Sequence, residues 1–197
     1  MFRLKSFFAA LIIAITAPLA FSAPAFAQGT KVVVIDRVQI FAQSQAGQDI
    51  RTKVQGIEAA MQAELQPTAN ALNTEGQAID AKTTGMTREA LLADAALKTE
   101  VENYARKAGE FNRDRQIAAQ ELALTERKAL VDFNNALIPV LREVVAENSA
   151  NVILDKGSVV FVDDATDVTA SVIAKLDAAT PTINVVRQTL PVQQPQQ

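Results

Sequence analysis

Hydrophobic positions change their spacing twice along the chain. Lys31-Val32-Val33-Val34-Ile35-Asp36 is an unbroken β-branched run between charges, which predicts a strand covered on both faces. From Ser44 to Leu130 the texture turns to Ala, Gln, Glu and Lys with thin apolar content. Ile50, Val54, Ile57, Met61, Leu65, Leu72 and Ile79 recur at intervals of 4, 3, 4, 4, 7 and 7, so they share one helical face. Thr83-Thr84-Gly85-Met86-Thr87 interrupts the stripe: Gly85 can take the left-handed conformation that stops a helix, and Thr87 before Arg88-Glu89 can cap the next one. A second stripe, Leu97, Val101, Tyr104, Ala108, Phe111, Arg115, Ala118, Leu122, Thr125 and Ala129, keeps heptad spacing with two polar members. Stripes this narrow suit packing on a single partner helix, so the pair predicts an antiparallel helical hairpin.

Folding that hairpin about Gly85 sets Ile79 beside Leu91, Leu72 beside Leu97, Leu65 beside Tyr104 and Ile57 beside Phe111. About 38 residues per helix at ~1.5 Å rise gives an arm of roughly 55 to 60 Å. Pro67 and Gly109 then fall at nearby heights on opposite helices, either as a shared joint or as a simple bend at Pro67.

Core-like density returns after Leu130. Phe133, Leu137, Ile138, Val140, Leu141, Val144 and Val145 form a strongly apolar helical segment that Pro139 is expected to kink or divide. Asn151–Asp155 and Ser158–Val162 read as two strands of a hairpin turned at Lys156-Gly157. A last helix, capped by Asp167 or Thr169, carries Val168, Val172, Ile173 and Leu176. Beyond Thr180, three prolines and a Gln-rich end predict a tail mostly without fixed structure, with Ile183 to Arg187 available as an edge strand. The fold class is therefore α+β: a small β-rich body from residues 28–43 and 131–180, a helical hairpin arm over 44–130, and a Pro/Gln-rich tail over 181–197.

The first 27 residues stand apart from this plan. Arg3 and Lys5 precede the uncharged run Phe7–Ala17, Pro18 breaks it, and Ala25-Phe26-Ala27 has the small-x-small pattern of a cleavage site. This reads as a secretory signal peptide, favoured over a retained anchor by its two prolines and the Ala-Phe-Ala site, with the mature chain starting at Gln28. Loss of two basic residues takes the net charge from −3 to −5. A cysteine-free secreted chain of this kind points to a periplasm.

Composition narrows the chemistry further. With no His and no Cys there is no imidazole base, no thiolate and no Cys/His zinc site, so an enzyme would have to run on carboxylates, Lys, Ser or Tyr. The acidic balance argues against a nucleic-acid partner. Asp163, Asp164 and Asp167, with Asp155 nearby, lack the spacing of a calcium loop and read as turn and cap residues. Glu102 before Arg106 and Glu110 before Arg113 are spaced as helix-surface ion pairs, so the basic cluster Arg106, Lys107, Arg113 and Arg115 reads as a solvated face, offering at most a weak contact to an anionic lipid. Glycines are scattered, with no phosphate-loop pattern. No catalytic, cofactor or metal residues are expected.

The opening Lys31–Phe41 with Gly47 after it, the long Ala/Gln/Glu hairpin, and the close through Val152-Ile153-Leu154-Asp155-Lys156, Asp167-Val168-Thr169 and Val172–Leu176 together resemble the Skp/OmpH family of periplasmic chaperones. The likeness runs from Lys31 to Leu176, with its specific parts at the two ends. It implies a homotrimer whose β-rich body holds three helical arms around a cavity, where unfolded outer-membrane β-barrel proteins are kept without ATP. Val33, Ile35, Ile153 and Val160 are the residues expected in the trimer body. The best-known members have basic arms, whereas residues 44–130 here carry 11 basic and 13 acidic side chains. Client contact is accordingly expected from apolar side chains near the arm tip, Ile79, Met86, Leu91 and Leu92. A secreted coiled-coil scaffold or spacer in the envelope is the alternative, since it would share nearly every feature except a seam as thin and broken as this one.

Overall fold

The structure is a computed structural model that describes residues 29–191; the segment read as a signal peptide, with the expected start at Gln28, and the last six residues lie outside the described part. Strand β1 (Val32–Ile35) is covered as its composition requires, with Val33, Val34 and Ile35 all buried. Asp36 ends it and at once caps helix α1 (Arg37–Gln43), its carboxylate accepting the Gln39 N–H at 2.8 Å. The charged and polar residues after Asp36 thus begin a helix instead of prolonging the strand. Ser44, fully buried, closes α1 and caps α2 (Gln45–Thr83) through the Gly47 N–H at 3.2 Å. The elbow between the two helices is so tight that a Cβ on Gly47 would stand 1.9 Å from the Phe41 carbonyl oxygen.

Helix α2 runs unbroken through Pro67 for 39 residues, about 58 Å at the usual rise. Gly85, at φ +81°, stops it as expected. The next helix, however, comes in two pieces. Thr87 caps the short α3 (Arg88–Ala93), and Asp94 then caps α4 (Ala95–Glu147) by accepting the Ala96 and Leu97 N–H groups, both at 3.0 Å. Because α3 extends the turn, the helices meet in a different register from the one predicted. Tyr104 faces Gly76 and not Leu65, Lys107 pairs with Glu75 at 2.9 Å, and Lys82 with Glu100 at 2.7 Å. Seven of the predicted seam residues are buried, Ile50, Met61, Leu72, Ile79, Leu97, Thr125 and Ala129, most of the rest are half-buried, and Arg115 is exposed.

Pro139 neither divides nor ends α4, which continues for 53 residues. The proline is exposed while Phe133, Leu137, Val140 and Val144 are buried, so the missing N–H falls on the solvent side and packing holds the helix on course. Strand β2 (Val152–Asp155) pairs with β1 in parallel, Val32 opposite Val152 through Ile35 opposite Asp155. The expected β-hairpin does not form. Asp155 accepts the Gly157 N–H at 2.9 Å and winds Lys156–Ser158 into a 3-10 turn, and Asp163 does the same for Asp164–Thr166. Side chains that bond their own backbone have displaced the second strand. Val34 instead gains a bridge to Asp167, reinforced by Val168 N–H to the Val34 carbonyl at 2.9 Å.

Helix α5 (Thr169–Ala179) then lies across α1 and α4. Its cap position is Val168, with Asp167 accepting from Thr169 N–H at 3.0 Å, while the Thr169 hydroxyl accepts from Asp36 N–H at 2.8 Å. The body core joins Ile35, Ile40, Phe133, Leu137, Val144, Val172 and Leu176 to Ala46, Ile50 and Ala129 at the foot of the arm. Phe41 stands edge-on to Phe133, ring centroids 5.1 Å apart.

Candidate functional site

The arm offers exposed surface and shallow grooves. At the tip, the four residues expected to touch clients divide. Leu92 is 60% exposed, Met86 and Leu91 are half-buried, and Ile79 is turned into the α2/α4 seam with 8% exposure. Ile79 therefore serves the hairpin, leaving Met86, Leu91 and Leu92 as the apolar group at the tip.

A second apolar region lies at the shoulder, where the arm leaves the body. Val38, Phe41, Leu130, Phe133 and Leu137 line a groove of about 430 Å³, and Phe41 and Leu130 continue into another of about 310 Å³ with Ile50 and Val54. Val38 and Leu130 on its lining are exposed, as are Val131 and Ile138 on the same helix α4 as Leu130. Sequence reasoning missed this strip because its members sit on ordinary helical positions, and only the body's packing decides which of them lose their cover.

The residues expected in the body also separate. Val33 and Ile35 are buried within the single chain and Ile153 is half-buried, whereas Val160 is fully exposed and its neighbour Phe161 is 82% exposed. The former three pack within the chain, and Val160 stands uncovered.

Carboxylates do structural work. Asp167 accepts from Lys156 at 2.7 Å, and the Lys156 ammonium together with the Thr169 hydroxyl and N–H holds its carboxyl down at about 2. Among the described residues no group of His, Cys, Asp or Glu side chains could hold a metal ion. The basic cluster pairs differently from its predicted spacing: Arg106 meets Glu110 at 3.1 Å and Lys107 crosses to Glu75, while Glu102 sits 3.9 Å from Lys98. Among the described residues no helix is long and apolar enough to cross a membrane.

The segment after α5 is fixed against the arm, contrary to the expectation of a mostly unstructured tail. Ile183 is buried in the body core, and Asp49 accepts its N–H at 2.9 Å while Lys53 donates to its carbonyl at 2.7 Å. Burial raises the Asp49 carboxyl, but the Lys53 hydrogen bond, the Ile183 N–H and the Lys53 charge together leave it below its usual range. Farther on, Arg187 bridges the two arm helices, reaching Glu64 on α2 at 2.7 Å and Glu121 on α4 at 2.9 Å. Both carboxylates, Glu64 first, push the guanidinium's pKa above its ordinary value. Glu121, one residue before the stripe position Leu122, is buried, and nothing in the sequence marks it as such.

No curated protein matches the chain. Among solved structures, one from Caulobacter crescentus CB15, provisionally described as an outer membrane chaperone (OmpH-like), superposes with a TM-score of 0.71 at 27% identity, over 83% of this chain and 94% of its own. The family model for Outer membrane protein (OmpH-like) matches residues 31–176, which takes in β1, the whole arm, β2 and nearly all of α5. With β1, the arm and β2 all inside that match, the chain belongs to the OmpH-like family and is a chaperone of the Skp/OmpH kind.

Proposed function

We propose that the protein is an ATP-independent periplasmic holdase, a homotrimer that keeps unfolded outer-membrane β-barrel proteins apart in the space between its arms. The observation that carries this reading is the unfinished body. A parallel pair of four-residue strands is too small a sheet to stand alone, and Val160 and Phe161, in the irregular segment after it, are uncovered. Further copies of the chain supply the missing cover and set the arms, each about 58 Å long, side by side. Weak, non-directional contacts suit a holder that releases without chemistry, and Met86, Leu91 and Leu92 at the tip and the shoulder strip offer them.

The test is whether the mature protein keeps a urea-diluted outer-membrane β-barrel protein soluble with no nucleotide present, at low and at high salt. Apolar holding persists or tightens as salt rises, because charge contacts are screened beyond a Debye length of about 8 Å at physiological ionic strength. Changing Met86, Leu91 and Leu92 to Ser should weaken it. A protein that leaves the client to aggregate, or that is monomeric at working concentration, would return the reading to an envelope scaffold.

A further inference from the structure

Residues 181–190 carry no helix or strand of their own, yet the foot of the arm answers them group by group. Asp49 and Lys53 take the N–H and carbonyl of Ile183, the Thr125 hydroxyl accepts Gln188 N–H at 2.9 Å, and Glu121 accepts Leu190 N–H at 3.1 Å. Recognition is thus of extended main chain, with three side chains read as well: Ile183 in the core, Val185 packed against it and Arg187 between Glu64 and Glu121. Asn184, Val186 and Thr189 between them are exposed, so their identity is not read. Glu121 is 6% exposed and spends both carboxylate oxygens on this segment. A carboxylate buried beside the seam is costly unless an occupant of this kind is present, so the groove is shaped for a chain with a basic side chain. The segment also lies beyond residue 176, outside the family match.

We propose that this groove at the foot of the arm is a binding site for extended polypeptide, taking an apolar residue followed four positions later by an arginine, and that the chain's own C-terminal segment is its resident, self-inhibiting occupant. The proposal rests on the holdase reading for its ligand class, unfolded client segments, while the groove itself can be tested without any client. A tethered occupant acts at an effective concentration on the order of millimolar, so free segments of modest affinity are excluded until the tether lets go.

The experiment uses the full chain. Arg187→Glu sets a carboxylate against Glu64 and Glu121 and should eject the segment; Gln188→Pro removes the N–H that Thr125 accepts and should loosen it without touching the core. A fluorescent peptide of residues 181–191 is titrated onto each by anisotropy. We expect it to bind Arg187→Glu about tenfold tighter than the unaltered chain, with a smaller gain for Gln188→Pro, and the gain to vanish when the peptide's own arginine is replaced by glutamate. Folded variants that bind the peptide no better than the unaltered chain would overturn the proposal and leave the segment a brace. A peptide gain that a urea-diluted β-barrel client fails to compete away would overturn the client assignment while the groove stands; a failure of holding by the unaltered chain would instead strike only the holdase reading.

Discussion

Two glycines on α2 show how differently one residue type is used. At Gly47 a Cβ would meet the Phe41 main chain at 1.9 Å, and main chain at an elbow held by buried Ser44 cannot step aside. At Gly76 the nearest atom is the Tyr104 hydroxyl at 3.0 Å, the far end of a side chain that can move. Gly47→Ala should therefore cost about 3 kcal/mol of stability, by overpacking that forces α1 off α2. Gly76→Ala should be within about 0.5 kcal/mol of neutral, the gain in helix propensity offsetting a small shift of Tyr104. Urea unfolding of the two variants checks the contrast. Asp167 supplies a second test at this scale. Its folded carboxyl, near 2, lies below the unfolded value of about 3.9, so its contribution is present above pH ~4 and is lost as the pH falls toward 2. Asp167→Asn should lower stability by about 1–2 kcal/mol at neutral pH and flatten the loss of stability between pH ~4 and ~2, as followed by circular dichroism.

At the scale of elements, the arm's register is the point where sequence and structure part. Heptad spacing names the seam residues correctly because burial on one partner is a property of each helix alone. It cannot count the residues spent in the turn, and α3 with its Thr87 and Asp94 caps moves the pairing of Tyr104 from Leu65 to Gly76. The hairpin at Lys156 was lost for a similar reason: Val159 to Val162 has strand composition, but Asp155 and Asp163 satisfy the local backbone first. Tip, shoulder and C-terminal groove were legible to different degrees. Leu92 was recoverable from its place beside the predicted turn, whereas Phe41 with Leu130, and Arg187 with Glu121, are pairs far apart in sequence that only the packed body brings together. The register itself is open to a direct measurement, since the chain has no cysteine to interfere. With single cysteines placed at Glu75 and Lys107, a short bismaleimide should join the two helices readily. The pair Leu65 and Tyr104 should react with little or no linking, and the reverse result would restore the predicted register.

For the whole molecule, the decisive contrast is between apolar residues buried within the single chain and those left exposed, which the proposed trimer would cover. Val33 is 2% exposed in the single chain, so a charge there is buried unpaired before any assembly begins, and Val33→Asp should unfold the body outright. Val160 and Phe161 are exposed in the same chain. A charge at either costs the protomer almost nothing, but on assembly it would be buried once per subunit, at several kcal/mol each time. Val160→Asp with Phe161→Asp should therefore yield a folded protomer, its helical circular dichroism unchanged, that no longer reaches the mass of three chains by light scattering. Because each arm should then stand alone, the variant should also stop holding a β-barrel client even though its tip and shoulder are untouched. A variant that remains trimeric would show that the turns after β2 face solvent in the assembly, and that the copies meet instead through the shoulder strip around Val38 and Leu130.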